Sequence, residues 1–165
     1  MVAKALIGVS IIGFCVLCGY LLSKKYRIKR AFFSQLKEFN ERFINEISYY
    51  RRPIETFIYA YEYKGEFFLL LQDFLKCIKD ENVTISQILT LPEYTFLKKE
   101  DKKRVEDYFS MLGKGDSASQ KAYFSSIKDE LAKEAEGASA DAKKYVDLYI
   151  KLGFLFGIFL FILIL

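Results

Sequence analysis

The chain has 165 residues, 52% of them hydrophobic, and a formal net charge of +4, which is room for about one ordinary domain. It contains no histidine and no tryptophan, so Ser-His and Cys-His nucleophile pairs and imidazole metal ligands are excluded. Setting aside Lys4 and the five cations of 24–30, 19 of the 25 basic residues stand against all 21 acidic ones, a balance that excludes a nucleic-acid surface.

Residues 5–22, ALIGVSIIGFCVLCGYLL, carry no charge. At 1.5 Å per residue they make a helix of about 27 Å, close to the hydrocarbon thickness of a bilayer. A cleaved signal peptide would place its cations before the run and a small-residue cleavage site after it. Here only Lys4 precedes the run, while Lys24, Lys25, Arg27, Lys29 and Arg30 follow in SKKYRIKR. Five cations directly behind a span resist translocation and hold that flank in the cytoplasm. The segment therefore reads as an anchor, with these five residues determining topology and meeting anionic headgroups.

The middle of the chain lacks strand alternation and has two prolines. Phe32, Leu36, Phe39, Phe43, Ile47 and Tyr50 step by three and four, a helical stripe, which Arg51, Arg52 and Pro53 interrupt. IETFIYAY (54–61) is a second helical candidate. A third follows Gly65, with Phe67, Leu71, Phe74, Leu75 and Ile78 on one face and Cys77 expected in the core. Thr84 and Gln87 have the spacing of a capping box over a short helix closed by Pro92. The next helix is expected from about Glu100 to Leu112, and GKGDSAS (113–119) reads as a turn. LKKEDKKR (97–104) is the densest charge cluster and reads as the wet face of that helix.

From Phe124 the pattern Ile127, Leu131, Ala135, Ala138, Ala142, Tyr145, Tyr149 predicts one long helix leading into LGFLFGIFLFILIL (152–165). Its weak point is Gly137, about 1 kcal/mol worse than Ala inside a helix, with Ser139 available as a restart cap. Fourteen residues give about 21 Å, and Tyr149 and Ile150 extend the run if Lys151 snorkels. A core helix of that length is conceivable, but this run is apolar on every face and a small domain has no interior to surround it. The expected fold is all-α: a cytoplasmic antiparallel bundle of about five to six helices at 24–148 between transmembrane helices at 1–23 and 149–165. Both termini then lie across the membrane from the domain. Gly153 and Gly157 form a GxxxG, which lets helix backbones approach in lipid. Gly8, Gly13 and Gly19, with Ser10, Cys15 and Cys18, supply small positions for a counterpart.

No catalytic set emerges, and neither a metal nor a cofactor is implied. Two other classes of function compete with this reading. A membrane-anchored enzyme would use carboxylates such as Glu46 with Glu55 or Glu62, yet these sit among Arg and Lys as surface residues do. A membrane sensor or adaptor would use the Cys15-x-x-Cys18 pair, but both thiols fall mid-span, where a thiolate is disfavoured.

The terminal KLGFLFGIFLFILIL resembles the ending of the stage III sporulation protein AB family, a K-x-L-G-F-L-x-G followed by an aliphatic run. EISYYRRPI (46–54) is similar to that family's E-I-x-Y-x-x-x-P-L element. FSMLGKGDSASQ (109–120) is similar to its L-G-x-x-D-x-x-x-Q turn, and Lys144-Tyr145 also correspond. The likeness spans the whole length and departs mainly in its richness in Phe and Tyr. It implies a relation to the cytoplasmic domain of type II secretion F proteins. It also implies a non-enzymatic platform on the mother-cell side of a sporulation channel complex, in the mother-cell membrane surrounding the forespore. The partners it implies are the membrane, other channel subunits and a cytoplasmic secretion-type ATPase, with a homo-oligomer left open. In this setting the last helix is expected to couple domain to bilayer, with Gly153 and Gly157 as its packing face against the first span or another subunit.

Overall fold

The computed structural model describes residues 2–50, 52–79 and 84–164. Arg51, the first of the expected breakers, and Leu165, the end of the expected second span, lie outside them. Among the described residues the helices are α1 (Val2–Leu22), α2 (Lys24–Asn45), α3 (Ile54–Tyr59), α4 (Gly65–Lys79), α5 (Ile85–Ile88), α6 (Lys99–Met111), α7 (Ser117–Ser126) and α8 (Lys128–Ile164). A π-helical turn, Glu46–Tyr50, follows α2, and a 3-10 turn, Pro92–Tyr94, precedes α6. Six of the helices run ten residues or longer and no strand is present, so the chain is all-α. It divides into two compact units: a terminal unit, Met1–Arg30 with Gly137–Leu165, and a central unit, Ala31–Glu136.

The central unit is built on aromatic rings. Phe39 is fully buried and meets Phe57, Tyr63 and Phe67 at centroid distances of 5.2, 5.7 and 5.8 Å. Phe124 sits edge-on to Phe43 at 4.9 Å and to Tyr108 at 5.1 Å. All but the tilted Phe39–Tyr63 pair are favoured edge-to-face arrangements, each adding about 0.5–1.5 kcal/mol beyond area burial. Inside this apolar web lies Asn40, 1% exposed. Its amide donates to the Phe124 carbonyl at 3.1 Å, and its carbonyl accepts from the Tyr108 hydroxyl at 3.3 Å. Burial pushes the Tyr108 phenol well above its ordinary pKa, which keeps it a donor.

Local chemistry sets the ends of the helices. Thr84 and Gln87 form the expected capping box: the Gln87 side chain accepts from the Thr84 N–H at 3.0 Å and the Thr84 hydroxyl accepts from the Gln87 N–H. Asp116 caps α7 by accepting from the Ser119 N–H at 2.7 Å, and hydrogen bonding from the Ser119 side chain and backbone lowers its carboxyl pKa. Gly113 and Gly115 hold φ of +79° and +82°, a left-handed backbone natural to glycine. The expected 113–119 turn thus ends at Asp116, and α7 begins within it.

Four expectations need correction. The stripe of α2 does not run on to Tyr50: Phe32, Leu36, Phe39 and Phe43 are buried, but Tyr50 is 67% exposed. The π-turn adds about a residue to its turn, which rotates Tyr50 outward, while Glu46, three residues after buried Phe43, stays inward. In α4, Leu70 joins Phe67, Leu71, Phe74 and Leu75 in the core while Ile78 is 52% exposed and Cys77 half-buried, because the last core layer is Phe74 against Phe109. The long final helix is interrupted at Ile127, where the Phe124 carbonyl is taken by Asn40, a side chain intruding into the helical ladder. Past that break the expected continuous helix holds: α8 runs unbroken through Gly137, and Ser139 restarts nothing. Finally, 97–104 is only partly a wet face. Asp101 is buried and accepts from the Lys98 N–H, Lys102 reaches the Leu89 carbonyl, and Arg104 pairs with Glu130 and Glu134.

Candidate membrane helix-packing site

The two sequence-predicted glycines lie where the backbones of α1 and α8 meet within the terminal unit. A Cβ added to Gly153 would lie 2.5 Å from the Cys15 carbonyl oxygen, and one added to Gly157 would lie 2.8 Å from the Ile12 Cα. No side chain fits there without moving the backbone. Gly8 of α1 faces the Phe161 ring and Gly19 faces the Tyr149 carbonyl. Pairing 8 with 161, 12 with 157, 15 with 153 and 19 with 149 gives an antiparallel register in which each helix offers glycine to the other's bulk. Of the proposed counterpart positions, Gly8 and Gly19 take part, Cys15 takes part through its carbonyl, and Gly13 meets nothing within 4 Å.

The residues that flank this seam turn outward. Phe14, Leu17, Leu155, Phe156 and Phe159 are each more than half exposed. Two helical stretches, Gly8–Tyr50 and Ser117–Leu163, hold windows apolar enough to cross a membrane, and those windows are only 17% and 6% buried. A core helix of a soluble protein would show the reverse.

At one end of the seam the five cations take different roles. Ser23, fully buried, separates α1 from α2 and donates its hydroxyl to the Tyr20 carbonyl at 2.7 Å. Arg27 donates to the same carbonyl at 3.1 Å, with its guanidinium 3.6 Å from the Tyr20 ring centroid. Tyr26 stacks on Tyr145 at 4.4 Å and 16° and leans on Tyr149 at 6.2 Å. Lys29 is half-buried and has a partner of its own, whereas Lys24, Lys25 and Arg30 are exposed. Sequence reasoning missed the Tyr26–Tyr145 stack; the signal was the presence of Tyr20, Tyr26, Tyr145 and Tyr149 beside two apolar runs, as in an interfacial aromatic belt.

The carboxylate and thiol chemistries are not assembled. Glu46, 3% exposed, is gripped by Arg52 through its N–H, Nε and Nη2 at 3.1, 2.9 and 2.5 Å. These hydrogen bonds hold its carboxyl below the ordinary range and raise the Arg52 guanidinium. Glu55 pairs separately with Lys79 at 2.9 Å, and Glu62 is exposed, so no carboxylate pair converges. Cys15 and Cys18 are free and half-buried. Among the described residues no group of three His, Cys, Asp or Glu is placed to hold a metal ion.

The family model described as stage III sporulation protein AB matches residues 4–165. No curated protein and no solved structure matches the chain.

Proposed function

The chain belongs to the stage III sporulation protein AB family, and from that premise we propose that it is a non-enzymatic assembly component of a sporulation channel complex. In this reading α1 and the end of α8 are its two membrane spans and the central unit faces the cytoplasm of the mother cell. The observation that carries the proposal is the glycine seam: Gly153 and Gly157 lie against backbone, in a pair of helices whose other faces are apolar and exposed. Packing of this kind is what holds helices together in lipid, where the hydrophobic effect does not drive association. The charge behind α1 favours the cytoplasmic side for the central unit, and the family is a sporulation one, not a known enzyme family. Coupling to a secretion-type ATPase is the role the likeness to type II secretion F proteins suggests for the central unit.

Gly153→Leu/Gly157→Leu tests the assembly role. The double variant keeps the span hydrophobic, so it should still insert, but it should lose co-purifying membrane partners and lower sporulation efficiency. If insertion, co-purification and sporulation all match the unmodified protein, the seam has no role in assembly. A cysteine reporter at Lys98, exposed on the central unit, tests the orientation. It should be labelled from the cytoplasmic side alone, and labelling from outside would reverse the topology.

A further inference from the structure

We propose that the tyrosine end of the terminal unit is a binding site for the headgroups of anionic phospholipids, with Lys24, Lys25 and Arg30 held at fixed depth by a tyrosine collar. The proposal rests on the membrane reading above and goes beyond it, since an anchor needs no lipid preference.

Three observations meet here. The first is placement. The terminal unit's four tyrosines, Tyr20, Tyr26, Tyr145 and Tyr149, gather where the seam closes at the Gly19–Tyr149 contact. At the other end the seam closes on Gly8 and Phe161. One end is therefore suited to the polar headgroup level and the other is not.

The second is charge. Every Asp and Glu of the chain lies between Glu38 and Asp147, so α1 and the first two turns of α2 hold cations without a carboxylate. Arg27 is occupied by Tyr20, and Lys151 pairs with Asp147 at 2.7 Å. Lys24, Lys25 and Arg30 are exposed and have no ion pair among the described residues. Three uncompensated cations at a headgroup boundary match a surface that carries net negative charge. A zwitterionic lipid neutralises its own phosphate and offers them less.

The third is rigidity. Tyr26, one residue from Lys25, lies flat on Tyr145 of α8, and the Lys25 ammonium is 5.1 Å from the Tyr26 ring. Ser23 and Arg27 both tie the start of α2 to the Tyr20 carbonyl that ends α1. The cations thus ride on a clasp between α1, α2 and α8, and not on a loose tail. Fixed geometry reduces the ordering cost of holding a headgroup.

The test uses the full chain in neutral detergent, titrated with short-chain phosphatidylglycerol, phosphatidylcholine or inorganic phosphate and read by its thermal midpoint. Phosphatidylglycerol should raise the midpoint saturably, and the other two should not. Each cation near an anionic surface is worth about fivefold. Lys24→Gln/Lys25→Gln/Arg30→Gln should therefore weaken the apparent affinity by more than about tenfold. Lys98→Gln/Lys99→Gln/Lys103→Gln removes as much charge from the central unit and should leave it within about twofold. Tyr26→Leu keeps every cation and should weaken binding by loosening the clasp. Equal response to phosphatidylcholine, an equal response to phosphate, or equal loss in the two triple variants would each overturn the proposal. Retention in carbonate-washed membranes reads the anchor separately. A released chain defeats the membrane reading, whereas a retained chain without phosphatidylglycerol preference defeats only this one.

Discussion

The two units use the same apolar residues in opposite ways. In the central unit the large side chains point inward: Phe32, Phe39, Phe57, Phe67 and Phe124 are at most 1% exposed and meet ring against ring. In the terminal unit large side chains point outward, with Phe14 at 67% and Phe156 at 58% exposed, and the contact line sets glycine against backbone and, at Gly8, against the Phe161 ring. Water drives the first arrangement, because burying apolar area is what stabilises it. Lipid removes that driving force and leaves close van der Waals approach to hold helices together. The outward phenylalanines of the terminal unit thus fit the membrane reading, and the inward ones of the central unit fit water.

If the comparison is right, the central unit should suffer from lost bulk and the terminal unit from added bulk. The largest effect is expected for Phe39→Ala, which empties the middle of the ring web and should destabilise the central unit by about 3–5 kcal/mol. Urea unfolding of the full chain in nanodiscs, followed by near-ultraviolet circular dichroism, measures it; a cost under 1 kcal/mol would mean the web is not the core. Asn40→Leu keeps the branching and heavy-atom count of the side chain but leaves the Phe124 carbonyl and the Tyr108 hydroxyl unpartnered, at about 1–3 kcal/mol for each. Asn40→Ser, which retains a polar group, should recover part of that loss.

A smaller, pH-dependent effect belongs to Glu46. Its folded pKa is below the ordinary 4.5 because Arg52 donates to the carboxylate. The pair's contribution is therefore complete above about pH 4.5 and disappears as pH falls through the lower folded value. Stability of the natural chain should drop more steeply between about pH 5 and 3 than that of Glu46→Gln. Parallel slopes would show that Glu46 has no linkage to folding. The smallest effect is expected at Gly13, which faces open space. Gly13→Leu should change insertion and stability by less than about 0.5 kcal/mol, and a large loss there would mean that the terminal unit resents bulk everywhere and not at the seam alone.

Much of this was legible in the sequence. Charge segregation marked the two apolar ends, period-3.6 spacing found the cores of α2 and α4, and Thr84 with Gln87 announced its own capping box. The misses have two causes: a local change of helical phase and contacts distant in sequence. Tyr50 leaves the core because the π-turn shifts the phase, and a periodicity count has no term for an added residue. The break at Ile127 depends on Asn40, 84 residues before the Phe124 carbonyl it binds. In the terminal unit GxxxG singled out Gly153 and Gly157, but only the antiparallel register separates Gly8 and Gly19, which meet α8, from Gly13, which does not.

The central claim is that glycine, and not bulk, sets the distance between α1 and α8. Position 13 and position 155 share a level in the register and both face away from obstruction, so spin labels can be placed there in a chain whose native cysteines are Ser. Pulsed electron–electron resonance in nanodiscs should give a short, narrow distance distribution. With Gly153→Leu/Gly157→Leu added, the helix axes should part toward the about 8–10 Å of ordinary helix pairs, and the label distance should lengthen or broaden with them. An unchanged distance in the double-leucine chain, or a broad one in the glycine chain, would contradict the account.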